Sequence, residues 1–316
     1  MSAELQDDRF TNEAIAREAL EAVIWPAGPI CPHCGNADAS KIAKLSTKSV
    51  RPGLRYCNEC KSQFTATVGT VFERSKIPLT KWWLAMHLIG SSKKGMSSHQ
   101  LHRMLGVSYK STWFMMHRIR EAMRVGGLAP MGGEGQTVEV DETFIGRKEG
   151  KPKAKSGYSH KNAVLSLVER GGSVRSFHVE SARKEHVLPI VRENIARESH
   201  VMTDEAPLYK YLGDEFKAHS AVQHTRDEYA YDDHKTGARV HTNTIEGYFS
   251  VFKRGMKGVY QHCGEKHLHR YLAEFDFRYN NRSALGVEDH ERVSKIASGI
   301  VGKRLTYRRP DETSHA

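Results

Sequence analysis

Apolar and polar positions alternate along "TVEVDETFIG" (137–146), where Val138 and Val140 interleave with Glu139 and Asp141. That period of two predicts a strand with Asp141 in its middle or at its end. "KNAVLSLVERGGSVRSFHVES" (161–181) predicts two further strands joined by a Gly-Gly hairpin at 171–172. "KEHVLPIVRENI" reads as a helix, and "SHVMTDEAPLYKYL" as a short strand ending at Asp204, with Pro207 breaking it. "FKAHSAVQHT" is another strand, and a polar, acidic, His-containing loop follows over 226–242. In "HTNTIEGYFSVFKRGMKG" (241–258) Ile245, Phe249 and Phe252 recur at the spacing of a buried helical face. "KHLHRYLAEFDFRYNN" repeats Leu268, Tyr271 or Leu272, Phe275 and Tyr279 at helical spacing, a stripe that suits a core better than a base-stacking surface.

The first part of the chain has a different texture. "TKWWLAMHLIGSSKKGMSSHQLHRMLGVSYKSTWFMMHRIREAM" (80–123) holds three helical patterns broken at "GSSKKG" and "GVSYKS". Its second half has the layout of a helix-turn-helix: a helix ending near Gly106, a tight turn, and Ser108 or Ser111 as N-cap of the next helix. On that last helix Trp113, Met116 and Ile119 or Arg120 share helical spacing. His117, Arg118, Arg120 and Arg124 are then expected as polar or basic surface able to meet DNA. "RVGGLAPMGGEGQ" (124–136) is rich in Gly and marks a boundary.

Four of the five cysteines fall in "CPHCG" and "YCNEC". Cys31, Cys34, Cys57 and Cys60 form two C-x-x-C knuckles 22 residues apart, the pattern of a tetrahedral thiolate zinc site. "STKSVRPGLRYC" and "KSQFTATVGTVF" read as short strands, so the expected module is a zinc ribbon whose metal supplies folding free energy. Four thiolates leave no open position, which makes this zinc structural. His33 is expected on the surface, and Cys263 as a packed or partly exposed thiol.

Elements after residue 136 run strand–strand–strand–helix–strand–helix–strand–helix, the order of an α/β RNase H-like core. That order brings Asp141, Asp204 and Glu246 to one place, where three carboxylates can hold two divalent ions. Glu142 and Glu205 flank the preferred acids, but strand alternation turns neighbours to opposite faces. Glu139 shares a face with Asp141 and is its true rival. Glu246 and Lys253, seven residues apart, lie along one line of their helix, two turns from each other.

Charge sharpens the division. The chain of 316 residues carries +11, with 18 Lys and Arg against 10 acids in residues 1–130 and 30 against 27 thereafter. A basic module joined to a near-neutral, acid-bearing one suits a DNA-binding part serving a metal-dependent catalytic part. No apolar run approaches the ~20 residues that span a bilayer, and the polar N-terminus is unlike a secretory signal, so a cytoplasmic location is expected.

"VEVDETFIG", "VMTDEAPLY", "VHTNTIEGYFSVFKRG" and "KHLHRYLAEFDFRYNNR", in this order behind a zinc ribbon, resemble the DDE transposases of bacterial insertion sequences, and most closely the ISXO-like group. The similarity runs from the first knuckle to "GKRLTYR", most of the chain. The resemblance implies Asp141, Asp204 and Glu246 as the catalytic acids, with Lys253 as a catalytic partner seven residues beyond the Glu. The acids would hold two Mg²⁺ or Mn²⁺ ions, and Lys253 would reach a DNA phosphate, with Arg254 and Lys257 extending that basic surface. Some relatives carry Asn in place of this Glu, which draws notice to Asn243; this chain keeps the acid at 246.

The expected organisation is a helix and zinc ribbon (1–78), a helix-turn-helix-like module (79–126), a linker (127–136), an RNase H-like domain (137–285) and a basic tail (286–316). The expected activity is binding of terminal inverted repeats, strand cleavage and 3′-OH joining to target DNA. Double-stranded DNA, a homodimer or higher oligomer on paired ends, and a nucleoid-associated location complete the picture. A non-catalytic zinc-ribbon DNA binder, domesticated or regulatory, and a structure-selective RNase H-like nuclease are the alternatives.

Overall fold

The computed structural model describes residues 3–47, 49–226, 229–234 and 237–306. The chain divides into two compact units, with Met1–Ser92, Met96–Arg124 and Glu288–Ala316 in one and Lys93–Gly95 with Val125–Val287 in the other. The ribbon, the helical module and the segment after 287 therefore share one unit, where the sequence reading separated three.

The first unit opens with α1 (Glu13–Ile24), capped by the Asn12 side chain, which accepts from the Ala14 and Ile15 N–H groups. A three-stranded antiparallel sheet follows in the order β1 (Ile42–Lys44), β2 (Arg55–Cys57), β3 (Gln63–Phe64). Only short strands form here, and the apolar burial is thin: Ile42 and Phe64, with Trp25 edge-on to Phe64 at 5.8 Å. Such a module needs another source of folding free energy.

Three helices complete the expected pattern: α2 (Leu79–Ser91), α3 (Ser98–Leu105) and α4 (Tyr109–Met123). Gly106, at φ +60°, ends α3 in the left-handed conformation that glycine adopts without penalty. Ser108 then caps α4 by accepting from the Ser111 N–H. The tail expected after residue 286 instead contains a helix, α8 (Asp289–Ser298), started by a reciprocal Glu288/Glu291 capping box. Val293, Ile296 and Ala297 on α8 are buried, and Ile296 lies against Gly90 of α2, where an added Cβ would meet it at 3.1 Å.

The second unit is built on a five-stranded sheet. Its strands are β4 (Thr137–Ile145), β5 (Asn162–Glu169), β6 (Val174–Val179), β7 (His200–Thr203) and β8 (Ala218–Ala221), in spatial order β6-β5-β4-β7-β8. β4, β5 and β6 form an antiparallel meander, and β7 and β8 add in parallel on the other side of β4. Parallel addition needs a crossover, and α5 (Lys184–Asn194) supplies the one from β6 to β7.

Between β7 and β8 the anticipated helix is absent. Two 3₁₀ turns, Pro207–Tyr209 and Leu212–Asp214, occupy that span, because Pro207 and Gly213 interrupt a longer run. The "loop" of 226–242 contains a small antiparallel hairpin, β9 (Ala230–Asp233) and β10 (Ala238–His241). Then come α6 (Asn243–Gly255), a π turn over Met256–Tyr260, and α7 (Leu268–Asn280).

The sheet is covered on both faces. Val138, Val140, Leu165 and Leu167 pack toward Val187 and Val191 of α5. Val164, Val168 and Val174 pack toward Ile245, Tyr248, Phe249 and Phe252 of α6 and Leu272 and Phe275 of α7. The apolar stripe read from the α6 sequence is thus its buried face. The expected linker is not merely a spacer, since Met131 is buried in the α5-side core and bridges to Ile195. Among the described residues no helix is long and apolar enough to cross a membrane.

Candidate active site

The strand alternation of β4 decides which acids can meet. Val138 and Val140 face α5, so Glu139 and Asp141 face α6, while Glu142 turns to the α5 side and accepts a hydrogen bond from the Tyr209 hydroxyl. Glu139 is fully buried. It accepts from Arg170 Nε at 2.7 Å, Thr244 Oγ1 at 2.8 Å and the Ile245 N–H at 2.9 Å, and His241 Nδ1 lies 3.3 Å away. Its carboxylate therefore ties β4 to the first turn of α6, a place that also favours negative charge. Glu139→Ala would leave the Arg170 guanidinium with the Arg239 and His241 carbonyls but without its carboxylate, and would unpair two donors of α6. A loss of about 3–5 kcal/mol is expected, measurable by urea unfolding of the whole chain.

Asp141 is differently placed. It is half-buried, opposite Ser166, and accepts the Glu142 N–H at 2.7 Å. Burial, the Asp204 charge and the Glu246 charge push its carboxyl up to about 7, while the Glu142 N–H and Lys253 pull the other way. Asp204 follows the last residue of β7 and accepts the Ala206 N–H at 3.0 Å, which fixes the turn leaving the sheet. β4 and β7 are parallel neighbours, so both acids emerge from adjacent strands of the sheet. Glu246 is exposed in the first turn of α6, 3.3 Å from Thr242 Oγ1 and 3.8 Å from His224 Nε2. Asn243 begins the helix, exposed, one turn earlier. Lys253 lies two turns on, its ammonium 5.8 Å from the Phe249 ring centre.

Asp204, Glu246 and Lys253, from three elements of one unit, thus all act electrostatically on Asp141. The carboxylates do not collapse onto a single point. Among the described residues the four cysteines are the one group of three or more candidate ligands whose atoms all lie within 4.8 Å of each other. Glu142 is also perturbed: burial pushes it up to about 8 against the pull of the Tyr209 hydrogen bond. A polar network braces the same region, in which the Ser176 and Tyr248 hydroxyls both donate to Asp276 and Ser166 meets Ser176 at 2.9 Å. Burial raises the Asp276 carboxyl to about 6 despite those bonds.

The ribbon brings its thiols together as the spacing required. Cys31 and Cys60 sulfurs are 3.6 Å apart, and Cys34 and Cys57 3.8 Å. Four thiolates around zinc at Zn–S ~2.3 Å have sulfur separations of ~3.8 Å, so the cluster fits the ion. The N–H groups of Cys60 and Glu59, with the Asn36 amide, draw the Cys57 thiol down to about 6. Cys263 is half-buried and donates to the Gly264 carbonyl at 3.4 Å.

The basic surface expected on α4 needs correction. Arg120 and His117 are each only 1% exposed. Arg118 is half-buried, donates to the carbonyls of Val71 at 2.9 Å and Glu73 at 3.0 Å, and stacks over Phe114. Arg124 is exposed but pairs with Glu121 at 2.5 Å. The C-terminal half of α4 is packing surface because α8 and the ribbon's last turns cover it. Arg103, Met104, Tyr109 and Lys110, around the α3–α4 turn, are exposed instead. His99 stacks on Tyr109 at 4.2 Å there. The cue was positional: a helix-turn-helix presents the N-terminal end of its second helix.

On α6, Arg254 is exposed and donates back to the Ser250 carbonyl, and Lys257 is exposed on the π turn. In the tail, Lys303 donates to the Ala122 carbonyl and Arg304 meets Glu73 at 3.3 Å, so both charges serve the fold. Tyr307, Arg308 and Arg309 of "GKRLTYRRP" lie outside the described residues.

A four-thiol ribbon and an α/β domain with interacting acids define a metal-binding protein of two functional parts. Residues 11–63 match the transposase zinc-ribbon domain, and residues 132–280 match the ISXO2-like transposase domain. The chain belongs with the ISXO-like transposases. A protein of Halobacterium salinarum described as an uncharacterized protein in transposable element ISH50 is 28% identical over 286 residues, covering 85% of this chain and 91% of that relative.

Proposed function

We propose that this chain binds the terminal inverted repeats of its insertion sequence, cleaves a strand there and joins the freed 3′-OH to target DNA. The observation that carries the reading is the electrostatic meeting of Asp141, Asp204 and Glu246 beside Lys253, in a domain matched to transposases. The sheet order β6-β5-β4-β7-β8, with a parallel half and an antiparallel half, agrees with an RNase H-like core. Asp141 and Asp204 on adjacent strands and Glu246 on the helix above would hold two Mg²⁺ or Mn²⁺ ions. The donor set is suitable: it is all oxygen, and beside the effect of burial the Asp204 and Glu246 charges raise Asp141, a repulsion that a divalent cation would relieve. When bound, such ions activate the attacking water or 3′-OH and stabilise the leaving oxygen of an in-line phosphoryl transfer.

The protein's own contribution is positional. Glu139 fixes the start of α6, so that Glu246 is held against the strand carrying Asp141. Thr242 orients Glu246, and the Ala206 N–H orients Asp204. Lys253, as a point charge, meets a phosphate of the bound strand, with Lys257 and Arg254 extending that surface. Two ends must be held together for joining, which requires a homodimer or a higher oligomer on DNA, and places the protein with chromosomal DNA in the cell.

A nick appearing in element-end DNA with Mg²⁺ and disappearing with chelator supports this reading. Binding without any nick supports the regulatory alternative, and cleavage of branched or hybrid duplexes in preference to element ends supports the nuclease.

The helix-turn-helix makes a separate prediction. Arg103→Ala and Lys110→Ala are each expected to reduce the salt slope of end binding by about one, the loss of one phosphate contact. Arg120→Ala is expected to lower stability by about 2 kcal/mol or more with that slope unchanged, because its side chain is inside. Filter binding across a salt series, beside thermal melts, checks both.

A further inference from the structure

A groove of about 580 Å³ opens beside the acids. One wall is the end of β4, from Glu142 to Gly146, beginning at the residue after Asp141; the other is Lys253, Met256, Lys257 and Gln261, where α6 runs into the π turn. π turns inside helices often mark functional sites. Gln261 adds a left-handed backbone at φ +58°, uncommon for a residue with a side chain.

Three lysines, Lys161, Lys253 and Lys257, line this space against a single lining acid, Glu142, whose carboxylate is engaged by Tyr209. Its aromatic part is equally distinctive. Phe144 and Tyr158 stack with ring centres 4.8 Å apart and planes 23° from parallel. Phe144 backs the pair, while Tyr158 remains 56% exposed. The Lys161 ammonium sits 4.8 Å from the Tyr158 ring centre. Lysines that track a phosphodiester beside a braced aromatic face make up the composition of single-strand nucleic-acid sites. A base held in a duplex offers no free face to such a ring, so the occupant must be unpaired. The volume suits a small ligand of nucleotide size and is too small for a duplex.

We propose that this groove receives one unpaired nucleotide flanking the cleavage position of the element end, its base on Tyr158 and its phosphate on Lys161 and Lys257. The inference rests on the reading of Asp141, Asp204 and Glu246 as the site of DNA cleavage. It adds a strand-opening function: the bound end is frayed at the scissile position. Lys161, now resting over the ring, moves to the phosphate as the base takes its place.

The test uses the full chain without divalent ion, so that binding is read apart from chemistry. Element-end duplexes carry 5-iodouracil at successive positions around the cleavage point, with each position either paired or mismatched. The expected result is photocrosslinking from one flanking position to Tyr158, mapped by mass spectrometry. The mismatched end should bind wild type more tightly than the paired one. Tyr158→Ala should lose about 5- to 150-fold of affinity for the mismatched end, the factor for one stacked base, and Tyr158→Phe should keep it. Wild-type binding with no crosslink in the groove, and equal affinity in Tyr158→Ala, overturns the proposal and leaves the cleavage reading standing. Wild type that binds no element end, paired or mismatched, overturns both.

Discussion

Asp141→Asn is expected to abolish DNA cleavage and joining and, in the same preparation freed of divalent ions, to raise the melting temperature at pH 8. Two opposite effects from one atom exchange follow from the position of the carboxylate. Burial and the charges of Asp204 and Glu246 hold the Asp141 carboxyl near 7, against an ordinary value of 3.8. The folded chain therefore binds its proton more tightly than the unfolded chain does. Stability of the ion-free protein falls as pH rises between those two values, and Glu142, raised from 4.5 to about 8, adds to the same trend. Asparagine keeps an acceptor for the Glu142 N–H and removes the repelled charge. A gain of about 1–3 kcal/mol, or roughly 3–10 °C, is expected at pH 8, shrinking toward nothing near pH 4. Loss of activity should be on the order of 10³-fold or more, as when one member of a cooperating set is removed. Differential scanning calorimetry at three pH values, with and without Mg²⁺, reads the stability arm. Asparagine that melts at the wild-type temperature throughout would mean that Asp141 is an ordinary solvated carboxylate.

The second large effect concerns zinc. Cys57→Ser, or removal of the ion with a strong chelator, is expected to unfold the ribbon over residues 31–64 while α2, α3 and α4 persist. Zinc contributes on the order of 10–16 kcal/mol in isolated fingers, and the ribbon has little else: Ile42 and Phe64 are its main buried side chains apart from the thiols. The helices have their own core of Trp82, Trp83, Met86, Leu101, Met116 and Ile119. Trp25 reports the change directly, since its ring lies edge-on to Phe64 and under the Arg55 guanidinium at 4.9 Å. Release of one zinc per chain, a red shift of Trp fluorescence and retained helical circular dichroism form the expected signature. Retention of the ribbon's amide protection after zinc loss would refute it.

Much of this architecture could be read from residue patterns, and the exceptions have physical causes. β4 was legible because Val138 and Val140 alternate with acids, and β5 and β6 because a short apolar run and a second strand-like segment flank the one available turn at Gly171-Gly172. The paired knuckles were legible because a tetrahedral ion dictates spacing. β9 and β10 were not: "AYDD" and "ARVH" are short, polar and half-exposed, with no periodicity to separate them from loop. α8 was hidden by its charge, although E-x-x-E at 288–291 was a capping signal that precedes a buried Val293, Ile296 and Ala297.

The acids show the same division. Alternation separated Glu142 from Asp141, but it could not separate Glu139 from Asp141, because both share a face. Only the tertiary partners of Glu139 — Arg170, Thr244 and the Ile245 N–H — assign it to structure. The arginines of α4 failed for a related reason. Helical spacing shows which residues share a face and says nothing about what covers it, and here α8 returns from the far end of the sequence into the same unit. Arg120 was placed on a surface that its own chain closes.

Catalysis of DNA strand transfer by Asp141, Asp204 and Glu246 is tested most directly by joining of a labelled element-end oligonucleotide to target DNA with Mg²⁺. Wild type should yield joined product, and Asp204→Ala and Glu246→Gln should bind the end with wild-type affinity and yield none. Wild type that binds verified ends yet neither nicks nor joins them, or variants that join as well as wild type, would contradict the account.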